Sequence, residues 1–92
     1  MGNMEQIEIK FTEQERELII DHTFAGPDLT NKLKIAEIKG KHLIAKYTIY
    51  DLDELIGFIT AEANHTEDKK LEKKLDKLFE RLNRILESEY SE

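Results

Sequence analysis

Glu62-Ala63-Asn64-His65 sets a carboxylate and an imidazole three residues apart. That is the Glu-x-x-His spacing that presents two metal ligands on one helical face in di-iron bundles. Such a centre needs a second copy of the pair and more Glu from facing helices, and the chain contains no second Glu-x-x-His. His22 and His42 stand on other segments without companion ligands. The expectation is therefore a His65 in a helix–helix turn, a partly buried His22, and no metal. Nucleophilic chemistry has less to work with. Cys is absent, Gly-x-Ser-x-Gly does not occur, and the only serines, Ser88 and Ser91, fall in an acidic tail where nothing could orient a base. The four glycines are scattered singly, so neither a phosphate-cradling loop nor a dinucleotide fingerprint is present. Carboxylates are plentiful, but on a chain that is 37% charged they pair without purpose, and a general acid would need an apolar pocket. No catalysis, cofactor or small-molecule substrate is expected.

Two patterns in the last third remain as candidate binding features. Lys70, Lys74, Lys77, Arg81 and Arg84 recur along one edge, with Lys73 beside them. Such an edge is a footprint for phosphates or for an acidic protein surface. The plainer account is that the helix bearing it folds back on the preceding one, whose acids neutralise it. Glu54 would then approach Lys77, and Glu62 would approach Lys69 or Lys70. One residue after each cation lies an apolar residue: Leu71, Leu75, Leu78, Leu82 and Ile85, a helical stripe that Phe79 and Leu86 widen. Strict spacing of this kind also suits a coiled-coil seam. A helix of roughly 33 Å is long for a domain with an expected radius of gyration of roughly 12–13 Å. Its far turns are expected to overhang, leaving Phe79, Leu82, Ile85 and Leu86 for a second copy.

The elements that must position these residues follow from periodicity and punctuation. Ile7, Ile9 and Phe11 alternate with Gln6, Glu8 and Lys10, as in a half-buried strand. Thr12 and Glu15 form a capping box opening a helix with Leu18, Ile19 and His22 on one face. Ala25-Gly26-Pro27 stops it, Gly in the left-handed C′ position and Pro as a breaker. A second helix is expected over 28–39, with Leu29, Leu33 and Ala36 inward and Gly40 as terminator. Residues 42–50, rich in β-branched and aromatic side chains, predict a strand whose inward face the pattern leaves open. Asp51 and Glu54 give a capping-box-like start to a third helix striped by Leu52, Leu55, Ile56, Ile59 and Ala63. Gly57 and Ala61 there allow a close helix approach on a neighbouring face. Asn64-His65-Thr66 is expected to turn the chain, with Thr66 capping a last helix over 67–88.

The fold expected is α+β: two short strands and four helices in β-α-α-β-α-α order, ending in an antiparallel helical hairpin. Ile9-Lys10-Phe11-Thr12 is echoed by Ala45-Lys46-Tyr47-Thr48, which suggests two related βαα units whose strands pair. Ninety-two residues suit a single domain over 1–92, with the acidic tail 88–92 frayed. The start, MGNMEQ, has neither the basic nor the apolar region of a signal peptide, and no apolar run approaches bilayer length. A cytoplasmic protein is expected. Net charge is −6, yet between positions 69 and 84 seven cations stand against three anions, directly after six acids in 51–68 without Lys or Arg. The overall reading is a non-catalytic module for protein–protein interaction or self-association through its last helix, with a homodimer or a protein partner expected and no membrane. A nucleic-acid-associated regulator using the basic edge is the alternative; the acidic total and the lack of interleaved aromatics weigh against it.

Overall fold

A computed structural model describes residues 5–90, apart from the side chain of Tyr90. Its elements are β1 (Ile7–Phe11), α1 (Glu13–His22), α2 (Pro27–Lys34), β2 (Glu37–Lys39), β3 (His42–Tyr47), α3 (Ile49–His65) and α4 (Lys69–Tyr90). The fold is α+β, with one antiparallel sheet in the order β1-β3-β2. Of the frayed tail expected over 88–92, residues 91–92 lie outside the described part, and α4 continues to Tyr90.

The third strand, β2, corrects the two-strand expectation. Helix α2 ends at Lys34 rather than at 39, and Glu37, Ile38 and Lys39 pair with Ile44, Leu43 and His42. Gly40, at φ +62°, begins a two-residue turn instead of ending a helix. A left-handed Gly at the first turn position, followed by a residue with negative φ, has the sign pattern of a type II′ hairpin, whose twist matches that of the strands. Helical periodicity masked this turn because Leu29, Leu33 and Ala36 fit a helix up to the residue before the strand.

Caps account for most other boundary differences. The Thr12–Glu15 box forms as expected, with Glu15 N donating to Thr12 Oγ1 at 3.1 Å and Thr12 N donating to Glu15 Oε1 at 2.9 Å. α1 ends at His22, and the Thr23 hydroxyl donates to the Ile19 carbonyl at 2.6 Å. Gly26 is not a left-handed terminator: at φ −74° it is the N-cap of α2, with Pro27 in the first turn where its missing N–H is harmless. β3 stops at Tyr47, not 50. Thr48 then caps α3 in a second box with Asp51, and Glu54 has no part in it. α3 runs through Asn64 and His65. Asp68, not Thr66, caps α4, its Oδ1 accepting from the N–H groups of Lys70 and Leu71 at 3.0 and 3.2 Å. Asp there also suits the positive end of the helix dipole.

The register pairs Ile7 with Tyr47, Ile9 with Ala45 and Phe11 with Leu43. Ile9, Phe11, Leu43, Ala45 and Tyr47 are all buried beneath the helices, whereas Glu8, Lys10, His42 and Lys46 are exposed on the opposite face. Over this sheet the expected stripe of α3 is buried throughout, and Leu75, Leu78, Leu82 and Leu86 of α4 join it. Residues 66–68 turn the chain back so that α3 and α4 form the largest contact between any two elements. Gly57 makes no close approach: it faces open space, and a methyl group built on it meets nothing within 4 Å. Ala61 is exposed too.

The radius of gyration is 12.9 Å, but the molecule is elongated, with extents of 43 × 28 × 22 Å. Its long axis exceeds the roughly 33 Å of a 22-residue helix. The apolar face of α4 is covered as far as Leu86. Leu82 is fully buried and Leu86 nearly so, with Phe79 and Ile85 half-buried against the same core. This corrects the assignment of Leu82 and Leu86 to a self-association surface, because a side chain already enclosed by its own chain offers little apolar area to a second one, whereas Phe79 and Ile85 keep part of theirs. No helix among the described residues is long and apolar enough to cross a membrane.

Candidate interaction cleft between the first and last helices

The echo noted in the sequence is a repeated structural unit. Each of β1 and β3 ends in a buried aromatic, Phe11 or Tyr47, then a Thr that caps the next helix, then an acid at the third helical position, Glu15 or Asp51. Each of those acids binds a cation from a distant helix. Arg81 of α4 donates to Glu15 through Nε and Nη2 at 3.1 and 2.7 Å, and Lys32 of α2 reaches Asp51 at 2.8 Å. Each cation also lies over the ring of the aromatic in the same unit: Arg81 is 5.6 Å from the centre of Phe11 and Lys32 is 5.5 Å from that of Tyr47. The two rings meet edge to face, centroids 6.3 Å apart. Cation, ring and carboxylate support one another here, since the ring face and the carboxylate are both negative.

These pairs overturn the expected neutralisation of the basic edge by α3. Among the described residues the ion pairs within 4.0 Å are Lys32–Asp51, Lys69–Glu72 and Arg81–Glu15. Glu54 does not pair with Lys77, nor Glu62 with Lys69 or Lys70. The packed face of α3 is apolar along its length, so the hairpin brings leucines together and leaves the charged edges apart. Of the five edge cations, only Arg81 is held among the described residues. Lys70, Lys74, Lys77 and Arg84 are exposed.

Lys74, Lys77 and Arg81 line one wall of an open cleft of about 460 Å³. Thr12 and Glu15 of the first capping box, with Gln14 between them, form the other wall, and Leu18 and Leu78 lie at its base. Glu15 is engaged by Arg81, so among the described residues the charges left unanswered in this cleft are the ammonium groups of Lys74 and Lys77. The sequence marked the cationic wall by its spacing. On the opposite wall the sequence marked only a helix cap, because what brings that wall to α4 is long-range packing: Glu15 and Arg81 stand 66 residues apart.

The other titratable groups are accounted for by packing. Burial, with the Asp51 charge adding to it, pushes the Tyr47 phenol far above its usual range, and its hydroxyl donates to the Leu29 carbonyl at 2.7 Å. The hydrogen bond from Lys32 chiefly holds Asp51 below its ordinary value, with burial opposing it. His65 is the last residue of α3 and is exposed, as are His42 and His22. The exposure of His22 corrects the expectation that it is partly buried; it is the final residue of α1. No group of three or more His, Cys, Asp or Glu side chains placed to hold a metal gathers among the described residues. Comparison with protein-family models, with curated proteins and with solved structures finds no match.

Proposed function

We propose that this protein is a non-catalytic interaction module that receives an acidic segment of a partner protein in the cleft between α1 and α4. The observation that supports it best is the pair of cations, Lys74 and Lys77, that form no ion pair among the described residues and line the cleft side by side. A segment carrying carboxylates is complementary to them. Charge sets its approach and orientation. Arg81 has a different part: its bond to Glu15 holds the two walls of the cleft together.

Nucleic acid is the other ligand for a basic edge. The net charge of −6 opposes it, since a phosphate backbone meets the whole field of the protein and not one stripe.

The reading is tested by titrating a fluorescent peptide of alternating Glu and Leu, and separately a short DNA duplex, at about 0.15 M salt, where the Debye length is about 8 Å. The peptide is expected to bind, at least tenfold more weakly once Lys74 and Lys77 are both changed to Glu, while the duplex does not bind. A duplex that binds as tightly as the peptide would favour the nucleic-acid reading. A peptide whose binding ignores the two substitutions would remove the cleft from consideration.

A further inference from the structure

β2 lies at the edge of the sheet, and all three of its residues are exposed. Ile38 is 67% exposed, and Ile35 just before the strand is 81% exposed. Lone apolar side chains on a surface are ordinary. An isoleucine on an open sheet edge differs, because the edge backbone is a template for another strand. The two-residue turn makes Lys39 and His42 the closing pair of the hairpin. Backbone groups alternate in direction along a strand, so the N–H and C=O of Ile38 face away from β3 toward the open edge. Ile38 pairs with Leu43 and shares its face, whereas Glu37 and Lys39 lie on the opposite one. With Glu13, Gly40, Lys41, His42 and Leu43, Ile38 borders a depression of about 410 Å³.

We propose that β2 is a self-recognition edge: two copies pair antiparallel about a two-fold axis at Ile38, joining two three-stranded sheets into one of six. In that register Glu37 of each copy stands opposite Lys39 of the other, so one axis creates two opposite-charge pairs. Moving the axis to Glu37 or to Lys39 sets like charges opposite each other, and so does parallel in-register pairing. The charge pattern thus selects a single arrangement. It also brings the two Ile38 side chains together beside their depressions, covering apolar surface that the single chain leaves open. β1 repeats the pattern in Glu8-Ile9-Lys10, but Ile9 is only 1% exposed, so an axis at Ile9 brings together no exposed isoleucines. Three strand residues a side is far below the roughly 20–30 of a standard interface, so the association is weak and concentration-dependent.

Sedimentation of the full chain up to about 1 mM, where an affinity of only about −4 kcal/mol still shows, tests the proposal. The wild-type mass is expected to rise toward that of a dimer. Glu37→Lys alone and Lys39→Glu alone are expected to stay monomeric, each placing like charges across the axis. An equimolar mixture of the two variants regains association, because their charges are complementary to one another. Glu8→Lys, at the other edge, leaves association unchanged. A wild-type chain that stays monomeric throughout overturns the proposal. A single variant that associates like the wild type, or a mixture that fails to recover, does the same.

Discussion

Arg81 of α4 and Glu15 of α1, 66 residues apart in the chain, share two hydrogen bonds of 3.1 and 2.7 Å. Glu15 Oε1 also accepts from the backbone N–H of Thr12, so one carboxylate both caps α1 and ties it to α4. Local and long-range structure meet in that side chain.

A double-mutant cycle between Glu15 and Arg81 should therefore show coupling. The side chains are only 19% and 37% exposed and the geometry is two-pronged, which places the pair near the top of the range for surface ion pairs, about 1 kcal/mol. Glu15→Ala should cost more than Arg81→Ala in urea unfolding, since it also frees the Thr12 N–H. Equal costs, with additive behaviour in the double mutant, would show that the bond contributes nothing.

Asp51 supplies a pH dependence of known sign. Its pKa is lowered in the folded chain from an ordinary value of 3.8, first by the hydrogen bond from Lys32. The folded state binds this proton less readily than the unfolded one, so the stability gained is present above about 3.8 and is lost as pH falls through the lower folded value. Lys32→Met should raise the Asp51 titration followed by NMR and flatten that part of the acid loss. An unmoved titration would mean that the Thr48 cap alone sets it.

Tyr47 gives the opposite sign. Its pKa is raised by burial, so above the ordinary value of 10.0 the unfolded chain releases the proton first and stability falls as pH climbs. Tyr47→Phe removes this alkaline loss. At neutral pH the same change deletes the 2.7 Å bond to Leu29 and should cost about 0.5–1.5 kcal/mol. A gain in neutral stability would argue that the hydroxyl is strained in its site.

Gly57 should be improvable. It sits inside α3 with ordinary helical backbone, and a methyl group there meets nothing within 4 Å. Gly57→Ala is expected to raise stability by about 1 kcal/mol, the intrinsic helix preference with no packing term. A destabilised variant would reveal a contact at this face that the isolated chain does not make.

Local patterns in the sequence were sufficient wherever the physics is local. The stripe Leu52, Leu55, Ile56, Ile59 and Ala63 is buried as read, because helical period alone decides which side chains share a face. The Thr12–Glu15 box forms because both partners lie within one turn. The four-residue echo at 9–12 and 45–48 likewise marked two strand ends that both lead into capped helices. The boundaries at which the structure departs from the sequence pattern, Gly26, Gly40, Thr48 and Thr66, are places where one residue type serves two kinds of ending. Gly caps a helix or turns a hairpin equally well, and only the neighbouring segment decides which.

What the tertiary structure alone decided is which side chains answer which charges and which leucines have room to be surface. The cations at 70, 74, 77, 81 and 84 recur along one edge, yet among the described residues Arg81 alone forms an ion pair, because the acid that reaches this edge is Glu15 of α1 and none of α3. Leu82 and Leu86 carry the same apolar signal whether they face a core or a partner. Packing of α4 against α3 and the rest of the core encloses them. Periodicity specifies the face of a helix that must leave water; what it packs against depends on where distant elements lie.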